Sequence, residues 1–221
     1  MRVQEVLYIK KFVFPIAMLI IGIVIGIGAI GAIYLFSGSN IFSDAEREAV
    51  NGDEAAHAEI TQLAFAVLEY ISDDDFNALS QLIHPEYGVV FSPYATINLE
   101  TDRRFYVEQV ADLNMNTSVY MWGVRSECGE PIRLTPAEYF DEFVQAYEHL
   151  NAPIVGINKI VRTGNALENI AEVFPNVEFI DFHIPGDENG DGHDWRSLRV
   201  GFKEYDGYLK LVSIVHSTWT A

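Results

Sequence analysis

Cysteine is nearly missing from this chain of 221 residues, where Cys128 stands alone. One cysteine cannot close an intramolecular disulfide, so a fold stapled by bridges is excluded. Glu127 and Glu130 flank it, and their charge opposes formation of the thiolate that a nucleophilic cysteine needs. Positive charge is also scarce, with 14 Lys and Arg against 32 Asp and Glu and a formal charge of −18. Such a surface repels phosphate backbones, which argues against nucleic acid as a partner, and it suits solubility and cationic ligands. Catalytic signatures are missing too. There is no G-x-S-x-G, no phosphate-binding loop and no dinucleotide fingerprint. The six histidines include no H-x-x-x-H or H-E-x-x-H spacing, so a catalytic zinc site has no support.

What the chain does have is a long uncharged run, Phe12 to Phe36. As a helix it would extend roughly 37 Å, enough to cross a bilayer core with some tilt. It is longer than the apolar part of a secretory signal peptide and ends in Ile33-Tyr34-Leu35-Phe36, a poor cleavage site. Arg2, Lys10 and Lys11 precede it, and acidic residues dominate after it. The positive-inside rule then predicts a single-pass cell-membrane protein. Residues 1–11 are expected in the cytoplasm, 12–36 as an uncleaved signal anchor, 37–44 as a linker, and 45–221 as one extracytoplasmic domain.

Within 45–221 the hydrophobic periodicity predicts helices first and an antiparallel meander last, an α+β arrangement. A helix is expected over 45–71, where Ile60, Leu63, Ala64, Val67, Leu68 and Ile71 share one face. Ser72 resembles the cap of a second helix, which His84-Pro85 stops. Val89-Val90-Phe91 reads as a strand, a helix is expected from Thr101 to Leu113, and 118–124 reads as a strand. Thr135-Pro136-Ala137-Glu138 is a capping box that opens a helix reaching His149. Further expectations are a strand over 154–161, a short helix over 165–173 and a strand over 177–184. A hairpin of 195–205 and 208–219 about Asp206-Gly207 follows, because that dipeptide favours a two-residue turn.

That turn pairs Tyr205 with Tyr208 and sets a register. Carried down the hairpin, it places Leu198, Val200, Phe202, Leu209, Leu211 and Val215 on a core face. Trp195, Ser197, Arg199, Val212, Ile214 and His216 fall on the other. Alternation along 177–184 adds Asp181 and His183 to a shared face. The expected polar pocket therefore joins Asp181, His183 and His216 as catalytic candidates. In it an Asp–His pair serves as a base with its orienting partner, and Arg199 holds an anionic group. Trp195 and Tyr94 are further binding candidates. Asp187-x-Asn189-x-Asp191-Gly192 matches the first half of a calcium loop, with Asp194 as a substitute ligand because position twelve is Leu198. Weak Ca2+ is the one metal considered, and no other cofactor is expected.

The stretch His84-Pro85-Glu86-Tyr87-Gly88-Val89-Val90-Phe91-Ser92-Pro93-Tyr94 resembles the signature of an uncharacterised bacterial extracytoplasmic domain that follows lipoprotein signals or membrane anchors. So do Gly164-Asn165-Ala166-Leu167, Asp194-Trp195-Arg196-Ser197-Leu198-Arg199 and the ending Leu211 to Trp219. The order of elements is also similar to the cone-shaped nuclear transport factor 2-like fold. That likeness implies a curved sheet wrapped on helices, a pocket in the cone and frequently a homodimer. It does not decide function, since one such fold hosts enzymes and non-enzymatic modules alike. The expected function is a membrane-tethered binding or interaction domain for a small molecule or an envelope protein. The alternatives are a small-molecule lyase or isomerase using Asp181, His183 and His216, and a structural envelope component that acts by dimerising.

Overall fold

The computed structural model of the chain describes residues 44–187 and 192–220. The anchor expected over 12–36 lies outside them. Among the described residues no helix is long and apolar enough to cross a membrane. Gly52–Ala221 forms one compact unit, which carries the fold described below.

Helix α1, Asp44–Ser72, covers the span expected from periodicity. Ile60, Ala64, Val67 and Leu68 on it are fully buried, and Phe65 meets Phe182 edge to face with centroids 5.1 Å apart. Helix α2 is Phe76–Leu82, and its cap is Asp75 rather than Ser72, with the carboxylate accepting from Ala78 N–H at 2.9 Å. Ser72 instead closes α1, and Asp74 turns the chain with a φ of 57°. His84 follows, and its Nδ1 accepts from the N–H groups of Glu86 and Tyr87, 3.2 Å from each.

Strands β1 (Val89–Ser92), β2 (Arg103–Phe105), β5 (Ile154–Ile157), β6 (Glu178–Ile184), β7 (Arg196–Tyr205) and β8 (Tyr208–Thr218) form one six-stranded sheet in the order β2-β1-β8-β7-β6-β5. A separate two-stranded sheet pairs β3 (Tyr120–Val124) with β4 (Pro131–Leu134). The large sheet is mixed rather than the wholly antiparallel sheet expected, because β1 runs parallel to β8 while the other neighbours are antiparallel. The expected helix over 101–113 is instead β2 followed by the short helix α3, Val107–Ala111, and a 3-10 turn. A three-residue strand carries too few alternations to be read as one.

The helix expected to run to His149 is also broken. The capping box forms, with Thr135 N–H donating to Glu138 at 2.8 Å. Helix α4, Pro136–Tyr139, then widens into a π-helical turn over Phe140–Val144, and Gln145 adopts a φ of 45° before α5, Ala146–His149. This wider turn lets Tyr139, Phe140 and Phe143 all join one aromatic core. Trp122 stacks on Tyr139 at 3.9 Å and 9°, and Phe91 meets Trp122, Tyr139 and Phe140 edge-on. Helix α6, Ile170–Val173, is shorter than expected.

The hairpin carries the finding that decides which side chains face one another. The turn is as expected, with Asp206 and Gly207 both at positive φ. The pairs Tyr205↔Tyr208 through Phe202↔Leu211 follow the expected register. Val212 then bulges, and pairing resumes at Gly201↔Ser213. Gly201 marks the place, for a Cβ there would stand 2.4 Å from Ser213 Oγ. From that point each partner is shifted by one residue, so Arg199 opposes Val215 and Leu198 opposes His216. Directly opposed residues share a face. Ile214 and His216 therefore join Leu198 and Val200, and Val215 joins Arg199, which corrects the expected faces.

Two substitutions test the packing. Trp122→Ala empties the centre of the aromatic core and is expected to cost about 3–5 kcal/mol. Gly88→Ala forces a side chain onto a φ of +66° and within 2.5 Å of the Phe105 carbonyl, an expected cost of about 2–3 kcal/mol. Chemical denaturation followed by circular dichroism reads both, and unchanged midpoints would contradict this packing.

Candidate functional site

The shifted register divides the sequence candidates into two sets. Asp181, His183, Arg199 and Trp195 lie together on the sheet face covered by the connection between β5 and α6. In register, Asp181 opposes Arg199 and His183 opposes Ser197. His216 and Tyr94 lie on the other face, both against the Phe143 ring, with centroids 5.7 Å and 6.2 Å away. The trio expected to act together is therefore split by the sheet itself, because the bulge at Val212 turns His216 over.

The first set is built around Arg199, whose side chain is fully buried. Its Nε stands 3.4 Å from Asp181 Oδ2, and its Nη1 pairs with Glu168. Its Nη2 donates to the Arg162 carbonyl at 3.4 Å, and Asp181 Oδ2 accepts from Val161 N–H at 2.8 Å. A buried guanidinium with two carboxylates thus fastens the 158–169 connection to the sheet. More ties hold the same segment. Thr96 Oγ1 donates to the Leu167 carbonyl at 2.7 Å, and Asn169 accepts from Ile97 N–H at 2.8 Å. Burial raises the Glu168 carboxyl above its ordinary range, against the pull of Arg199.

His183 Nδ1 lies 2.9 Å from Ser197 Oγ, and burial lowers the histidine below its ordinary value. Trp195 is fully buried, its ring 5.8 Å from that of His183, with the Arg162 guanidinium 5.3 Å from its centroid. The layer thus neutralises much of its own charge and is sealed. In this conformation Arg199 and Asp181 expose no surface to an anionic substrate.

The second set lies at the end of β8. His216 Nδ1–H donates to the Pro93 carbonyl at 3.0 Å, and burial lowers its pKa. His149 Nδ1–H points at the carbonyls of Val144 and Gln145, 3.0 and 3.1 Å away. Burial lowers His149 to about 4. Both imidazoles are therefore neutral near pH 7, with the proton on Nδ1. Nearby, Asp102 accepts from Ser92 Oγ at 2.6 Å and Asn98 N–H at 2.9 Å, and burial raises it to about 6. Sequence reasoning did not single out His149, Asp102 or Glu168. Each sits in a loop or at a helix end, where no periodicity marks it.

Of the calcium candidates, Asn189 and Asp191 lie outside the described residues. Asp194 accepts from Asp187 N–H at 3.0 and 3.1 Å, and Leu198 is a core residue that offers no oxygen. Among the described residues no group of three or more His, Cys, Asp or Glu side chains is placed to hold a metal ion. Elsewhere a cleft of about 500 Å³ is lined by Ile71, Ser72, Asp74, Ala137, Phe140, Asp141, Gln145, Ala146, Tyr147 and Glu148. Comparison of the chain with protein-family models, curated proteins and solved structures returns no match.

Two outcomes follow. Arg199→Met strands the buried Asp181 carboxylate and the half-buried Glu168 and is expected to cost about 3–5 kcal/mol. Adding Asp181→Asn and Glu168→Gln should recover part of that loss in urea denaturation, whereas a neutral Arg199→Met would refute the clasp. His149 has a folded pKa below its unfolded one, so its contribution is complete above about 6.5 and is lost as pH falls towards about 4. Asp102, raised in the folded state, acts in the opposite sense over about 4–6. The difference between the native chain and His149→Gln isolates the histidine, and should shrink by on the order of 3 kcal/mol between pH 7 and 4. A pH-independent difference would contradict the buried neutral imidazole.

Proposed function

We propose that the chain is a membrane-tethered extracytoplasmic binding domain that works through its surface. The observation carrying this reading is the fate of the expected pocket. Asp181 and Arg199 are buried in a mutual ion pair under the 158–169 segment, and His216 faces away from them. The core that α1 and the sheet share is filled by packed side chains, Phe182 among them, and continues into the Trp122 and Tyr139 cluster. Binding at an outer surface is what this arrangement leaves. The uncharged run 12–36 and its basic N-terminal flank support the tether and its direction. The long helix α1 packed on a mixed sheet, with the parallel β1–β8 pair near its middle, supports the cone-like reading and its kinship to nuclear transport factor 2-like domains.

The single cysteine gives a direct test of placement. Cys128 is exposed, so a membrane-impermeant maleimide should label the unmodified chain on intact cells. Labelling only after the membrane is permeabilised would contradict an extracytoplasmic domain.

A further inference from the structure

The cleft beside the π-helical turn has a distinct chemical character. Ile71, Phe140 and Ala146 give it an apolar lining, Asp74 and Asp141 supply acidic groups, and Glu148 is already paired with Arg196. No Lys or Arg is among the ten residues that line it. Tyr147 lines it too and is 73% exposed, an unusual position for a large aromatic that has a core nearby. The shape comes from the backbone. The π-helical turn ends at Gln145, whose left-handed conformation redirects the chain so that Ala146 is buried while Tyr147 stands outward. Asp74, also left-handed, forms part of the facing wall at the junction of α1 and α2.

We propose that this cleft docks a basic, partly apolar peptide segment of a partner protein. The proposal rests on the reading of this unit as a surface-binding domain and names the place and the partner's chemistry. The argument is complementarity on two counts. The apolar lining takes an aliphatic or small apolar side chain, whose burial drives association. The acidic edge takes Lys or Arg, whose long stems lie along apolar surface while the charged head stays near the rim. Tyr147 offers its ring face to the same cation. An acidic peptide is repelled, and a second copy of this domain brings the same negative charge to the contact. At about 500 Å³ the cleft, half open to solvent, has room for a few side chains.

The test uses the full chain in a non-ionic detergent and a fluorescent synthetic peptide that alternates lysine with leucine and alanine. A glutamate version of the peptide serves as control. Asp141→Lys and Tyr147→Ser change exposed side chains, so circular dichroism and thermal unfolding should match the native chain. The expected result is saturable binding of the lysine peptide, weakened about tenfold or more by each substitution, and no binding of the glutamate peptide. If both variants bind the lysine peptide as well as the native chain does, the peptide is held by the general acidic surface. The cleft is then overturned while the binding-domain reading stands. If the native chain binds no lysine peptide, the partner chemistry proposed here is wrong.

Discussion

A single extra residue, Val212, governs how the sheet distributes its side chains. Because strand side chains alternate, a slip of one position turns over everything beyond it. Gly201 opposite the bulge leaves room for Ser213, and the slip places His216 on the face of α1 and the aromatic core. Without it, His216 would stand beside Arg199 and Ser197, and the sheet would carry the polar trio that a regular ladder implies. The division into a sealed ionic layer and an aromatic core follows from this local irregularity.

The ionic layer has a structural logic of its own. The 158–169 segment contains no strand or helix, so it cannot hold its place through a backbone ladder. Side chains do that instead, with Asp181 receiving the Val161 amide and Arg199 gripping Glu168 and the Arg162 carbonyl. A buried guanidinium is costly to desolvate, and a layer of this kind adds modestly to net stability while being expensive to break. Its value lies in fixing one position for an otherwise irregular segment. The same features that suggest an active site in sequence, an Asp, a His and an Arg on adjoining strands, serve here as a fastening.

Much of this architecture is legible in the residues alone. The apolar stripe from Ile60 to Ile71 marks α1, Asp206-Gly207 marks the terminal hairpin, and Thr135 to Glu138 marks a helix start. Alternation correctly groups Asp181 with His183. What alternation cannot show is an interruption of itself, and the sign of one was Gly201 inside a strand, a residue that often marks a bulge. The parallel pairing of β1 with β8 joins segments more than a hundred residues apart and leaves no local trace. The π-helical turn is hidden for a different reason. Tyr139, Phe140 and Phe143 fit ordinary helical spacing, and only the packing of Tyr139 and Phe140 against Trp122 and Phe91, with Phe143 stacked on Tyr139, favours the wider turn. The acidic cleft depends on that turn and was likewise invisible.

The register beyond Val212 can be measured directly by paired cysteines in a Cys128→Ser background. Arg196 opposes Thr218 in this structure, whereas an unbroken ladder from the Asp206-Gly207 turn would oppose it to Ser217. Opposed strand residues fall within the Cα separation that a disulfide spans. Under mild oxidation, Arg196→Cys with Thr218→Cys is predicted to close a disulfide, and Arg196→Cys with Ser217→Cys is predicted to stay reduced. The reverse outcome would remove the bulge, return His216 to the face of Arg199 and Ser197, and contradict the account at its root.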